Sequence, residues 1–303
     1  MIKDEVNMDN PANHRDHHPG FEDKFINQVD NYNGIAVAFP PPYNPNGDLV
    51  YEWSGVDSKK LYDSVNLEKM GPTWKYATKK ITYTRNKLGY RSKELSEVTD
   101  GNFFMVFGCS FTEGEGLAED EMWSTILSEK LNMPVINHAK GGGSAELVYL
   151  NSLLFLKNST SIRPKFVIIQ WPDPSRMMYK SLEKSGMLGP WDLHEGEPYL
   201  STFYNMMVKH KADEYNSLMM YHSTMSLWRL ADIPVYNWTY DTMWEQQLNI
   251  TFDDIIWADI SKGEMLPENL ARDVMHFGEK WNCRTAERLG EGIKTKILNR
   301  SLG

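Results

Sequence analysis

From residue 103 onward, short apolar runs alternate with stretches whose apolar residues recur at helical spacing, and this alternation limits the fold more than any other feature. "FFMVFG" (103–108), "MPVINHA" (133–139), "KFVIIQW" (165–171) and "IPVYNWTY" (233–240) are too short and too uniformly apolar for surface helices. Between them, "EDEMWSTILSEKLN" (119–132) places Met122, Trp123, Ile126, Leu127 and Leu131 on one helical face. "SAELVYLNSLLFLKN" (144–158), with Ser144 as its expected cap, "NSLMMYHSTMSLWRLAD" (216–232) and "GEKWNCRTAERLGEGIKTKIL" (278–298) read as further helices. Strands that are apolar on both faces must be covered on both faces, which predicts parallel βαβ units with right-handed crossovers. The expectation is an α/β fold: a three-layer α/β/α sandwich around a mainly parallel, flavodoxin-like sheet, with an N-terminal extension. The extension is expected over 1–100 and the main domain over 101–303. In such sheets, chemistry collects at the carboxyl ends of the strands.

The N-terminal third has a different texture. Residues 1–48 read as irregular, and "FPPPYNPNG" (39–47) suits an extended, polyproline-like course. His14, His17 and His18 lack the Cys or the helical i, i+4 partner that a metal site would need, so no metal is expected there. "KKITYTRNKLGYRS" (79–92) alternates like a strand before turning at Asn86 and Gly89.

With a net charge of −9, the chain has no broad cationic surface, so a nucleic-acid partner is not expected. No apolar run reaches the ~18–20 residues of a spanning helix, and the polar start lacks a signal-peptide core. Cys109 and Cys283 stand far apart with no metal spacing, favouring a reducing compartment. The expectation is a cytoplasmic protein without membrane, cofactor or metal; the oligomeric state is open.

Three loops carry the chemistry. Ser110, in "GCSFTEGEGL" (108–117), stands just past the first strand's carboxyl end. "NHAKGGGS" (137–144) follows the second strand, and its glycines let backbone N–H groups approach a ligand. "DVMH" sets Asp273 three residues before His276. Each feature alone has a bland reading as a turn, a flexible loop or a chance pair. Together they supply a hydroxyl, a base to remove its proton, a carboxylate to orient that base, and donors for an oxyanion.

On these residues the chain resembles the SGNH (GDSL) hydrolase family. "GCSFTEG" matches the serine block, with Cys109 in the aspartate position. "NHAKGGGS" matches the glycine block, which puts the oxyanion glycine at Gly142, and Asp273 with His276 matches the last block. "TRNKLGYRSKEL" (84–95) and "GLAEDEMWSTILSEKL" (116–131) resemble segments of bacterial and phage members, and the resemblance covers about residues 80–300. One block departs. Where the family places an asparagine donor, the third strand runs into "WPDPSR" (171–176), with Pro172 at that position. Losing one oxyanion donor typically costs about 10²–10³ in turnover. Gln170 and Arg176 are the expected substitutes, and Arg176 is also a candidate clamp for an anionic substrate group, against its bland reading as a surface arginine.

The resemblance implies a serine esterase cleaving a small acyl ester, such as an acetyl group on a carbohydrate, with Ser110, His276 and Asp273 as its triad. The expected partner is therefore a small-molecule or glycan ester. Two alternatives stand beside it: an inactive scaffold serving as a binding or phage-particle protein, and an O-acyltransferase using the same triad. Trp171, Trp191 and Tyr199 are candidates for stacking on sugars, against core packing. Met177, Met178 and Tyr179 are expected to line a pocket, and "TFDDIIWADISKGEML" (251–266) to wall it.

Overall fold

A computed structural model describes residues 50–52, 59–159, 161–180, 185–191, 198–240, 243–248 and 269–301. The histidines at 14, 17 and 18 and the stretch 251–266 lie outside the described residues.

The strands in chain order are β1 (Val50–Tyr51), β2 (Tyr83–Thr84), β3 (Phe104–Phe107), β4 (Val135–Asn137), β5 (Phe166–Gln170), β6 (Met177–Lys180), β7 (Ser185–Leu188) and β8 (Val235–Trp238). The helices bearing on the site are α1 (Ser110–Glu113), α2 (Trp123–Leu131), α3 (Ala145–Asn158), α4 (Pro198–Lys209), α5 (Ala212–Leu230), α6 (Met243–Leu248) and α7 (Glu279–Ser301).

The central sheet has the order β4-β3-β5-β8, and every neighbouring pair is parallel. The first strand of the sheet, β3, therefore has the next two on opposite sides. That reversal of strand order opens a crevice at the carboxyl end of β3, where ligands bind in sheets of this kind.

Period-two alternation assigns the side chains to two cores. Met105 and Phe107 face one way, joining Val167, Ile169, Val148, Phe155, Trp228 and Trp244 beneath α3, α5 and α6. Phe104 and Val106 face the other way, joining Ile168, Trp238, Trp123, Leu127, Trp281 and Leu289 beneath α2 and α7. Both faces of the sheet are thus dry, as its uninterrupted apolar strands require. Among the described residues no helix is long and apolar enough to cross a membrane.

Several local expectations shift. The alternation over 79–92 yields only the two-residue β2, paired antiparallel with β1. The rest of that stretch spends its polar groups on a turn: Asn86 Oδ1 accepts from the amides of Leu88 and Tyr90. Ser144 occupies the position before α3 with extended backbone, but its hydroxyl makes no cap. The long connection after β5 contains the β6–β7 antiparallel hairpin and α4, too short and mixed to be read as elements beforehand. Within it Met177 packs with Leu188, Leu200 and Tyr204, with Tyr179 alongside, while Met178 packs against Leu147 and Leu154. These three residues contribute to small satellite cores, Met177 buried and Met178 and Tyr179 half-buried. Trp171 is fully buried, donating from Nε1 to Asn237 Oδ1 at 2.9 Å, which leaves it no free face for a sugar. Tyr199 is exposed.

Candidate active site

The site begins where β3 ends. Cys109 keeps an extended backbone, and α1 then starts at Ser110 and lasts one turn before Gly114 closes it in the left-handed region. Gln170, at the end of the neighbouring β5, fixes this sharp exit. Its Oε1 accepts from the Cys109 amide and the Thr112 hydroxyl, both at 3.1 Å, and its Nε2 donates to Trp171 O at 2.9 Å. Gln170 is fully buried. The expectation that it serves as an oxyanion donor or substrate contact is therefore corrected: its carboxamide is committed to holding the serine turn from below.

The second loop lies beside the first. His138 and Lys140 continue from β4 by donating their amides to Val106 O and Gly108 O. Gly142 has φ +71°, a left-handed backbone that a side chain would strain. The amides of Ser110 and Gly142 meet no acceptor among the described residues. Orphan N–H donors at a helix start and in a glycine loop are suited to receive a negative oxygen.

The third loop, 269–278, is closed by the Ala271 amide donating to His276 O and by the Leu270–Phe277 bridge. Asp273 Oδ1 accepts from the amides of Met275 and His276 at 3.1 Å, leaving Oδ2 to meet His276 Nδ1. Val274 between them has φ +58°, a costly conformation for a β-branched residue. On its other side, His276 Nε2 lies 2.7 Å from Ser110 Oγ. The structure thus brings Ser110, His276 and Asp273, 166 residues apart along the chain at their extremes, into one hydrogen-bonded line. Ser110 is 5% exposed and His276 8%, so the pair is nearly withdrawn from solvent.

Gly116 joins the first loop to the third. Its amide donates to the Tyr83 hydroxyl at 2.7 Å, and its carbonyl accepts from the Arg272 amide at 2.9 Å. A Cβ there would come within 2.9 Å of both Asp273 Oδ1 and the Ala271 Cβ.

Sequence reading missed a set of buried charges under these loops. Glu113 meets Arg85 Nη1 at 2.6 Å and Lys140 Nζ at 3.1 Å, and its Oε2 accepts from the Gly141 amide. Burial would raise the Glu113 carboxyl, but the two cations and these hydrogen bonds hold it down at about 2, while burial pulls Lys140 down to about 8. Arg91 completes the bracing by donating to Gly114 O and Leu117 O. Glu115 Oε2 lies 3.6 Å from His276 Nε2. Burial, then its neighbours Glu113 and Asp273, push Glu115 up, against the pull of His276. Burial alone would lower His276; the charge and hydrogen bond of Asp273, then Glu115, outweigh it and leave the imidazole raised. The legible clue was the "EGEG" at 113–116: two acids inside a turn that strand and helix packing must bury.

Glu115, Asp273 and His276 have ligand atoms within 4.8 Å of one another, as a metal would require. Both imidazole nitrogens are already engaged, Nδ1 by Asp273 and Nε2 by Ser110.

Arg176 lies on the rim. Its side chain reaches the Cys109 sulfur, and its guanidinium sits 5.3 Å over the Trp191 ring. Trp191 in turn covers Gly142, at 3.7 Å from where a Cβ would stand. Pro172 offers no side-chain donor, and its carbonyl accepts from Trp244 Nε1 at 2.7 Å.

No protein-family model and no curated protein matches the chain. Solved structures similar to it include a psychrotrophic esterase from Pseudoalteromonas, at 17% identity and TM-score 0.33, covering 65% of this chain and 99% of that one. An aryl esterase of M. smegmatis is similar at 12% identity and TM-score 0.29, covering 64% and 99%. A GDSL-like lipase from Bacteroides thetaiotaomicron is similar at 12% identity and TM-score 0.25, covering 69% and 92%. At scores this low the likeness adds nothing to what the strand order and the loop geometry themselves establish.

Proposed function

We propose that the protein is a serine hydrolase of carboxylic esters. The observation that supports this most directly is the line from Ser110 Oγ through His276 to Asp273, set beside two amides with no acceptor among the described residues. In the reaction, Ser110 Oγ attacks the ester carbonyl carbon while His276 Nε2 takes its proton. The carbonyl oxygen becomes an oxyanion facing the Ser110 and Gly142 amides. The intermediate collapses by breaking the carbon–oxygen bond to the alcohol, which leaves with the proton from His276. Water then attacks the acyl-serine, His276 removes its proton, and the carboxylic acid departs as Ser110 recovers its own. Asp273 holds the imidazole in the tautomer this cycle needs. A small acyl group such as acetyl, on a carbohydrate alcohol, is the substrate class we favour from the motif resemblance. Transfer to an added sugar in place of water would use the same steps.

The test is hydrolysis of p-nitrophenyl acetate. Ser110→Ala should lose at least ~10⁴-fold in kcat; full activity in that variant removes Ser110 from the mechanism. The strand end favours a second reading, a binding scaffold, because Pro172 supplies no donor and Gln170 is committed to the turn. A fluorophosphonate probe separates the two: labelling at Ser110 requires an activated hydroxyl, and an inert Ser110 in the folded protein supports the scaffold.

A further inference from the structure

We propose that Arg176 and Trp191 form an anion-recognising subsite, so that the ester acted on bears a negatively charged group. This rests on the hydrolase reading for what happens next to the subsite, but its own observations are separate. Two arginines buried under the serine loop direct their terminal nitrogens to protein acceptors, Arg85 to Glu113 and Gly89 O and Arg91 to Gly114 O and Leu117 O, while the Arg272 guanidinium lies 4.7 Å over the Tyr62 ring. Arg176 differs. Its Nε and Nη1 are buried and meet no hydrogen-bond acceptor among the described residues. The nearby carboxylate of Asp173 is turned to its own loop, Oδ1 accepting from the Ser175 amide and hydroxyl, both at 2.8 Å.

Leaving guanidinium N–H groups dry and unpaired is costly, and the cost is recovered when an oxyanion arrives. Charged N–H donors on a planar guanidinium suit a carboxylate or phosphate oxygen, and the indole beneath holds that plane. The position matters equally. The guanidinium touches the residue preceding Ser110, and its charge is felt at His276. Trp191 spans from Arg176 to Gly142. One small ester can therefore reach the oxyanion donors and the Arg176 guanidinium together. The anionic group belongs either to the alcohol, as in an acylated acidic sugar, or to the acyl chain, as in a half-ester of a dicarboxylic acid.

Two matched pairs test both sources on the full chain. Phenyl acetate against 4-acetoxybenzoate places the charge on the alcohol; phenyl butanoate against monophenyl succinate places it on the acyl group. The wild type should favour the charged member of at least one pair by about ten- to a hundredfold in kcat/KM, the range of a charge-assisted hydrogen bond. Arg176→Gln should bring that ratio to about one, and Arg176→Lys should keep part of it. No preference in either pair, or a ratio that Arg176→Gln leaves unchanged while both rates fall, overturns the proposal. If the wild type hydrolyses none of the four, the hydrolase reading fails instead. The subsite is then read by calorimetric titration with benzoate and succinate: binding lost in Arg176→Gln upholds it, and no binding to the wild type overturns it.

Discussion

The two regions around Ser110 are built differently. On the floor, loops distant in sequence are tied together by buried hydrogen bonds and ion pairs: Asn66 to Arg272 O, Tyr83 to Gly116, Arg85 and Lys140 to Glu113, Trp123 N to Asn282. Aromatic residues of 62–83 pack with Leu117, Met122 and Ala271 directly beneath the serine and histidine loops. The flank, residues 176–180, 185–191 and 198–209, is held by the small clusters around Met177 and Leu147, with Glu146 accepting from the Met178 amide and from Asn216. The contrast teaches where tolerance lies. The floor fixes atoms to within the tolerance that proton transfer demands, whereas the flank, with its own modest cores, presents Arg176 and Trp191 and can be rebuilt without disturbing that geometry.

The largest blow to the floor short of removing the nucleophile is Asp273→Asn. An amide cannot hold His276 in the required tautomer, and kcat should fall about 10⁴-fold, with fluorophosphonate labelling of Ser110 slowed in parallel. Near-normal labelling would mean that Asp273 only supports the loop. Next comes Glu113→Gln, which strands Arg85 and Lys140 as buried cations without their counter-charge. A loss of about 3–5 kcal/mol in unfolding free energy is expected by denaturant titration; a loss near zero would show that the floor does not depend on its ion pairs. The smallest effect sharpens the comparison. The base works as neutral imidazole, so activity falls as pH drops through the pKa of His276. Glu115 favours the charged imidazole. Glu115→Gln should therefore lower that pKa and move the acid limb of kcat/KM to lower pH. A limb that stays put or moves up would place Glu115 out of contact with His276.

Uninterrupted apolar runs at 103–107 and 166–169 and helical spacing at 119–132 made the layered sheet legible, because burial on both faces leaves strands with no polar side. Ser110, Gly142, Asp273 and His276 were legible for a related reason: each stands at a strand end or before a helix, where sheet topology forces convergence. Gln170 was misread because it sits where a donor was sought, and one-dimensional reading cannot show which way a carboxamide turns. Glu113, Glu115 and Lys140 escaped because charged residues read as exposed until long-range partners are known. The hairpin of β6 and β7 escaped because its packing partners, on α3 and α4, lie apart from it in sequence.

At Gly116, a hydrogen atom is the most that fits between the serine loop and the Asp273 carboxylate. Even an alanine methyl there would press on Ala271 and Asp273 and pry the serine loop from the histidine loop, so the spacing of Ser110 and His276 is set by the smallest residue the chain can supply.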